Sequence, residues 1–576
     1  MRNAEPKECF YMKSVFLTAV FSLSCALALG SGVVLAQQKT PPRPPETSVF
    51  GETVEVRVVN VEVVVTDKGG NRVSGLKPGD FHLKVDGKQV PVDYFSEIFG
   101  GQSVAPPAAA GGTAPAASAV PGVEPGGAVG TSYLVFIDDY FPTEIRRNEV
   151  LKSLRNDLSR LGPEDRMAIV AYDGGRLAMV SNWSQSQAQL ARAFDQAMSR
   201  PARGLDRIVE LQRFQHDDQF VKDGEAIGTS QGGDMLDLNS RAAASSLNLT
   251  EKAYGETLFR QVEGAVNAAA RTLRTFASPP GRKVMLLLDG GWPFSIGSFI
   301  RAGNTTSASR EFKDGETLFR NLTSTANLVG YTIYPVDVPG TPGAANDASV
   351  EGSTGSGAAS FRDQEDKGTL EFVALETGGK ELRNGNRMVA LAQVAADTRS
   401  YYWLGFSPTW AHNDARHKVD VTVDKPGLRV RSRESFLDLS KKSEVTMMVE
   451  SALLFGNVPG GTVLPMRIGT PTKTRKGTEI PIILGLPADV VTLIQMGNKY
   501  AAHAELRFAA SDKNGNDSEL PVVPLDITAD HPARPGSFIK YETKLILKGD
   551  ANHLVAAVYD PISGKVATAE TDLTLP

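Results

Sequence analysis

Two apolar runs end in carboxylates: Tyr133-Leu134-Val135-Phe136-Ile137 leads into Asp138-Asp139, and Val284 to Leu288 leads into Asp289. A continuous apolar run of this kind reads as a strand buried on both faces. Ligands of open parallel sheets bind beyond the carboxyl ends of the strands. Three carboxylates gathered at such an edge have the chemistry to hold a hard cation such as Mg²⁺, which takes oxygen ligands and leaves positions for water or a partner's carboxylate. Asp138 or Asp289 can equally cap the turn or helix that follows, and spacing leaves both readings open. Trp292 and Phe294 flank Pro293 just beyond Asp289. They are either an exposed aromatic contact of the kind enriched in interfaces or rings packed beneath their own loop.

Other patterns carry less. Gly228-Thr229-Ser230-Gln231-Gly232 fits G-x-S-x-G, but a nucleophile elbow needs a strand before it and a helix after it, and this stretch sits in a polar insert. The seven histidines are scattered without H-x-x-x-H or H-E-x-x-H spacing, and His412 and His417 read as part of a solvated hairpin. Asp512, Asn514 and Asn516 imitate the opening of a calcium loop, yet Asp517 stands where Gly belongs and Val523 where Glu belongs, so this segment reads as a hairpin turn. Walker-type and dinucleotide glycine motifs are absent. The formal net charge of -5, with no cluster of Lys and Arg, excludes a general nucleic-acid binder, because phosphate contacts need gathered positive charge.

The elements that must position these residues can be followed along the 576-residue chain. A start at Met12 gives a basic Lys13, an apolar stretch from Val15 to Leu29 and a small-residue cleavage site at Val34-Leu35-Ala36, so residues 1–36 read as a signal peptide with residues 1–11 upstream of the true start. Both cysteines, Cys9 and Cys25, fall inside it. The mature chain is then expected in the periplasm or outside the cell, without disulfides. An uncleaved anchor is the alternative; lipidation at Cys25 is disfavoured by Ser22, where an aliphatic residue is needed. No later run of ~18 apolar residues spans a membrane.

Pro41-Pro42-Arg43-Pro44-Pro45 makes residues 37–50 an extended linker. Residues 51–99 alternate as a small β unit, with a change of phase at Val58-Val59 that reads as a bulge. This unit has too few strands for a sandwich of its own. Residues 100–131, rich in Ala, Gly and Pro, read as a flexible linker. From 132 to 408, strand and helix alternate, ending on a strand from Ser400 to Phe406, which predicts an α/β doubly wound domain with a mostly parallel sheet. In its first helix, with Thr143 as candidate cap, Ile145 and Val150 lie in the first turns, and Leu151, Leu154, Leu158 and Leu161 follow at helical spacing. Residues 409–437 read as a β-hairpin turning at Pro426-Gly427 and predicted to pair with the N-terminal β unit, leaving the doubly wound domain inserted between β segments. Residues 438–448 form a junction. Residues 449–576 read as an all-β, immunoglobulin-like sandwich, with strands at Ile480–Leu486, Ala502–Ala509, Tyr541–Leu547 and Leu554–Tyr559.

This order of elements resembles the von Willebrand factor A domain, and the surrounding chain is similar to the bacterial VWFA-related family. The resemblance covers roughly residues 50–437. It rests on Phe136-Ile137-Asp138-Asp139, Ile169-Val170-Ala171-Tyr172-Asp173, Leu286-Leu287-Leu288-Asp289-Gly290, Tyr401-Tyr402-Trp403-Leu404-Gly405-Phe406-Ser407-Pro408 and the valine-rich Val56 to Thr66 followed by Gly79-Asp80-Phe81. It implies a metal-ion-dependent adhesion site: a DxSxS turn after the first strand, a Thr in a second loop and an Asp after the fourth strand. Asp138 matches the first Asp, but Tyr140 and Pro142 stand where the two serines belong, and neither supplies a short hydroxyl at ~2.1 Å from Mg²⁺. Thr257, just before a helix expected from Leu258, matches the Thr, and Asp289 the last Asp; Asp139 offers a substitute ligand.

Three insertions, at 202–254, 291–311 and 340–366, are expected to crowd the carboxyl edge of the sheet, and loops of such length are usually functional. The expectation is an exported, non-enzymatic binding or adhesion-type protein. Its A-like face would meet a protein or cell-surface partner through Tyr140, Trp292 and Phe294, with the β modules as stalk and spacer. The rival readings are an exported hydrolase using the 202–254 insert and a structural envelope component.

Overall fold

The structure is a computed structural model that describes residues 58–104, 124, 126–228, 235–277, 281–301, 315–339, 356–440, 442, 443, 445–447, 449, 462–475, 477–512, 522–531, 534, 536–547, 551–563 and 565–574. The signal peptide, the 37–50 linker, most of the 100–131 linker, Ser230 with all of its motif but Gly228, the greater part of the 340–366 insertion and the Asn514 turn lie outside the described residues. The phase change at Val58-Val59 falls at their edge.

In chain order the N-terminal strands are β1 (Val59–Thr66), β2 (Phe81–Val85), β3 (Lys88–Val90), β4 (Tyr94–Phe99) and β5 (Gln102–Val104). The α/β region follows as β6 (Thr131–Asp138), α1 (Glu144–Asn156), β7 (Arg166–Tyr172), β8 (Leu177–Ser184), α2 (Gln187–Met198), α3 (Gly204–Gly228) and α4 (Met235–Thr275). It continues through β9 (Arg282–Asp289), α5 (Ile296–Arg301), α6 (Gly315–Val329), β10 (Tyr331–Asp337), α7 (Ser356–Thr377) and α8 (Ala390–Thr398). The chain then runs through β11 (Tyr401–Phe406), β12 (Ala415–Val423), β13 (Arg429–Arg431) and β14 (Ser435–Asp438).

The central sheet has the order β10-β9-β6-β7-β8, parallel except for β8 at one edge. Its strands are buried on both faces because alternate residues feed two different cores. Leu134 and Phe136 of β6 pack with α4, α6 and α7 through Leu258, Val262, Phe319 and Val373. Tyr133, Val135 and Ile137 pack on the other side with α1, α2 and α8 through Leu151, Phe194 and Leu391. Each fully buried side chain of this kind contributes roughly 1.5–3 kcal/mol, so neither helical layer is dispensable to the sheet.

The strand from Tyr401 to Phe406 corrects the expectation that it closes this sheet. As β11 it lies antiparallel between β1 and β4, in a sheet ordered β13-β1-β11-β4-β5. A second sheet, β14-β12-β2-β3, faces it. Val59, Val61, Val63, Leu404, Phe81, Leu83, Val419, Val421 and Phe436 share one core between the two, so the N-terminal and post-domain segments do build a single sandwich with the α/β region inserted. The other face of β1 and β11, through Val64, Tyr401 and Trp403, is also buried. Apolar residues on both faces made β11 indistinguishable from a parallel-sheet strand in sequence. The predicted hairpin at Pro426-Gly427 is likewise corrected: β12 pairs with β2 and β14, whereas β13 pairs with β1, so the turn carries the chain from one sheet to the other.

The described part of the 202–254 insert is helical rather than loop. α3 packs against α4, and the helix expected from Leu258 begins at Met235. At 1.5 Å per residue α4 is about 60 Å long. Polar, Ser- and Asn-rich sequence hid these helices, since their support is tertiary: Phe214 stacks on Tyr254 with ring centroids 4.5 Å apart, and Arg207 bonds Gln261 across the pair.

Helices that run antiparallel to the strands all end at the edge where the strands begin, and that edge meets the sandwich. Each of four helix ends there receives a cation. Lys283 Nζ donates to Ala277 O beyond α4 (2.9 Å), Arg433 Nη1 to Asn327 O in the last turn of α6 (2.7 Å), Arg431 Nη1 to Gly378 O beyond α7 (3.0 Å) and Arg72 Nη2 to Asp397 O in α8 (3.1 Å). The Asp397 carboxylate also pairs with Arg72 and Arg431 and accepts a bond from the Tyr334 hydroxyl at 2.6 Å.

The C-terminal region is strand-rich: β15 (Thr462–Val463), β16 (Met466–Ile468), β17 (Thr472–Thr474), β18 (Gly477–Pro487), β19 (Ile494–Met496), β20 (Lys499–Asp512), β21 (Val522–Ala529), β22 (Phe538–Leu547), β23 (Ala551–Tyr559) and β24 (Val566–Asp572). Two sheets, one of β15-β24-β23-β20-β19 with β21 on β20 and one of β16, β17 and β22 around β18, bury a common core that includes Ile480, Leu484, Leu506, Phe508 and Leu554. Val445 and Val449 of the junction pack on Ala509, Val555 and Tyr559, and buried Arg507 donates to Lys442 O at 2.8 Å. The edge strand β22 presents Lys540, Glu542 and Lys544 outward, an arrangement that discourages pairing with another chain. Among the described residues no helix is long and apolar enough to cross a membrane.

Burial opposes ionisation of Asp397, but Arg431 and Arg72 outweigh it and hold the carboxyl well below the usual carboxylate range. The stability this gives is present above the unfolded value of about 3.9 and is lost as pH falls below it toward the folded one. Asp397→Asn is expected to cost about 3 kcal/mol at pH 7, the lower end for breaking a buried pair. In urea denaturation across pH 2–7, its deficit should shrink below about pH 4; a deficit independent of pH would contradict the ionic account.

Candidate partner-binding face

At the carboxyl edge of the sheet the chain supplies its own partners for every expected ligand carboxylate. The two oxygens of Asp138 meet three donors. Oδ1 accepts from the backbone N–H of Tyr140 (2.8 Å) and Phe141 (3.2 Å), and Oδ2 accepts from the Trp292 indole N–H (2.8 Å). The backbone pair is the turn by which Asp138 ends β6. Asp289 repeats it at the end of β9, Oδ1 accepting from Gly291 (2.7 Å) and Trp292 (2.9 Å), while its buried Oδ2 has no protein partner. Trp292 thus braces two strand ends at once, its backbone on Asp289 and its indole on Asp138.

Asp139 is held by two arginines, Arg147 Nη1 on Oδ1 at 2.6 Å and Arg200 Nε on Oδ2 at 2.7 Å, and Arg147 also donates to Arg200 O at 2.7 Å. Arg147 and Asp139 are both fully buried. Sequence reasoning missed these arginines, and Ile145, which it set beside Val150 in the first turns, is 70% exposed. A signal was present. Tracing the apolar face of α1 back from Leu154 through Leu151 and Val150 at helical spacing arrives at residue 147 rather than 145, and a charged residue at a core position implies a buried partner.

The expected contact residues are distributed otherwise. Trp292 is wholly buried, which corrects its reading as an exposed contact: the indole N–H needs an acceptor, and Asp138 provides one deep in the site. Phe294 is half-buried against Phe319 and Phe372. Tyr140 is half-buried, its ring lying over Gly174, where a Cβ would come within 2.1 Å of it. Thr257 lies inside α4 rather than before it, half-buried, and its hydroxyl donates to Ala253 O at 2.9 Å. α7 adds Glu365, whose carboxylate accepts from Ser295 N at 2.9 Å, and Asp366, packed against Gly291.

These residues do not fit a hexacoordinate Mg²⁺. An N–H is aimed at the oxygen of Asp138 that would have to bind the ion, both oxygens of Asp139 are paired with guanidinium groups, and Thr257 is turned into its own helix. Tyr140 and Pro142 replace the hydroxyls, and Pro142 and Phe141 crowd Gly290 so closely that a Cβ there would lie 2.4 Å from Pro142 and 2.7 Å from Asp138 Oδ2. Among the described residues no group of three or more His, Cys, Asp or Glu side chains is placed to hold a metal.

No family model and no curated protein sequence matches the chain. Among solved structures, the crystal structure of the TFIIH p34 N-terminal domain aligns with 46% of this chain and 95% of its own, at 12% identity and a TM-score of 0.17, a level of likeness that carries no argument.

Burial pushes the Asp138 carboxyl up to about 6, against the pull of the Tyr140, Trp292 and Phe141 donors. Because the folded value lies above the unfolded one, the contribution of this group to stability is full below about pH 4 and is lost as pH rises through about 6. Trp292→Phe keeps an aromatic ring and removes a donor that favours the charged form. It should cost about 2 kcal/mol at pH 7, and the loss should narrow toward pH 5 as Asp138 takes up its proton. Urea titrations of both proteins at the two pH values test this; equal losses at both would exclude the indole as the partner of an ionised carboxylate.

Proposed function

We propose that the chain is an exported, non-enzymatic binding protein, in which a von Willebrand A-like domain presents the carboxyl edge of its sheet to a protein or cell-surface partner and an immunoglobulin-like C-terminal sandwich acts as spacer. The observation that carries this reading is the placement of α3 at that edge. Arg203 N bonds Asp139 O at 2.8 Å and Gly204 N bonds Pro142 O at 3.1 Å, which fixes the start of α3 beside β6. From there Leu205 and Val209, one helical turn apart, are 61% and 45% exposed, and Ile145, two residues beyond the Thr143 that Gly204 abuts, is 70% exposed. Apolar side chains grouped in this way on an otherwise charged surface mark interaction sites.

The experiment is binding of the purified mature protein to envelope material of its host, compared with a Leu205→Glu, Val209→Glu variant of unchanged circular dichroism. At least a tenfold loss in apparent affinity is expected. Equal binding by the variant would remove this edge as the contact.

A further inference from the structure

We propose that the strand-end site works without a metal ion because internal donors occupy the places an ion would take: the Trp292 indole N–H at Asp138 and the Arg147–Arg200 pair at Asp139. This deepens the binding reading above and rests on it for its biological meaning, although the chemistry stands on the site alone. A divalent cation at a sheet edge has two tasks. It neutralises carboxylates that the fold forces together, and it offers open coordination positions to a partner's carboxylate. Here the protein performs the first task at Asp138 and Asp139. Arg147 and Arg200 bring two positive charges to Asp139 at 2.6 and 2.7 Å, and three N–H groups satisfy Asp138.

The second task has no counterpart, because the donors at Asp138 and Asp139 point inward, and the partnerless Oδ2 of Asp289 is buried away from a partner's reach. Trp292 is central to this. Its indole lies stacked near Phe319 at 6.4 Å and is wholly buried, so it cannot swing aside for an ion without emptying part of the core. Both oxygens of Asp139 are already in charge-assisted bonds, which are about twice as strong as neutral ones. A cation would have to displace a buried guanidinium to reach them. Recognition at this edge therefore falls to the surface of α3 and α1 around the site, and chelators should leave it untouched.

The test uses the mature wild-type protein and needs no partner, so its outcome is separate from that of the binding experiment above. Manganese is added at increasing concentration and the six-line resonance of the free ion is followed, alongside calorimetric titrations with Mg²⁺ and Ca²⁺. No saturable loss of signal or heat is expected up to millimolar ion, and the melting temperature should be the same in millimolar Mg²⁺ and in EDTA. Saturable binding of any of the three ions that Asp138→Asn abolishes, or a melting temperature that rises with ion in the wild type and not in that variant, would overturn the proposal. Should Asp138→Asn fail to fold, Arg200→Gln, which lies at the partly exposed margin, serves instead: binding by the wild type that this variant strengthens would place the ion at Asp139 and equally overturn it.

Discussion

The rest of the molecule depends on where the helix ends fall. Helices packed antiparallel to a parallel sheet direct their C-terminal carbonyls to one edge, and each end carries partial negative charge and unsatisfied acceptors. That edge is not left to solvent here, since the nine-stranded sandwich lies against it. Burying four helix ends is tolerable only if each receives a donor. Three of the four come from the sandwich, as Arg72, Arg431 and Arg433, and the fourth, Lys283, from the sheet itself. Each such contact contributes typically 0.3–1 kcal/mol when exposed and up to ~2 when partly buried. Arg72, Arg431 and Asp397 also form a charged cluster, so the contact between domain and sandwich is fixed by charge and direction as well as by the apolar contacts of Val64, Tyr401 and Trp403.

The same polarity governs the opposite edge. Strand ends there carry Asp138, with its neighbour Asp139, and Asp289, and α1 begins within a few residues of the first, its N-terminal N–H groups favouring negative charge. Yet these aspartates are buried, and a buried carboxylate needs bonds as well as a favourable field. The turns at 138–141 and 289–292 supply backbone donors, and Trp292 and the two arginines supply the others. Crowding follows. Glycine at 290 is required because Phe141, Pro142 and the Asp138 carboxylate converge on it.

How much of this was legible depended on whether a feature was local. The parallel strands were legible because a strand with a helical layer on each side must be apolar at every position, and the Tyr133–Ile137 and Val284–Leu288 runs are. The joining of N-terminal and post-domain β segments was legible from a deficit, since the first unit had too few strands to stand alone. β11 was misassigned because burial on both faces arises equally between sandwich and helices, and no local property separates the two. The helices of the 202–254 insert were hidden because a stacked Phe214–Tyr254 pair, not propensity, supports them. At the site, Asp138 and Asp289 were found from their position after apolar runs. Their partners were not, because Trp292 reads as an interface residue until the acceptor facing its indole is seen.

Insertion of the α/β region also orders the assembly of the molecule. Ile98 and Tyr401 are paired neighbours in the sheet, so closing that contact on an unstructured intervening chain would bring together ends on the order of 300 residues apart. With the logarithmic dependence of loop entropy, that costs about 5 kcal/mol. A folded α/β region removes most of this cost, because its first strand, β6, starts and its last helix, α8, ends at the edge that meets the sandwich: Thr398 of α8 lies 3.2 Å from the Tyr133 hydroxyl of β6. The inserted domain therefore acts as a rigid clip that holds the two halves of the sandwich in reach. The sandwich in turn supplies the arginines that three of its helices need. Each part meets a requirement the other cannot meet alone, which predicts one cooperative unit from β1 to β14 in place of two separately stable domains.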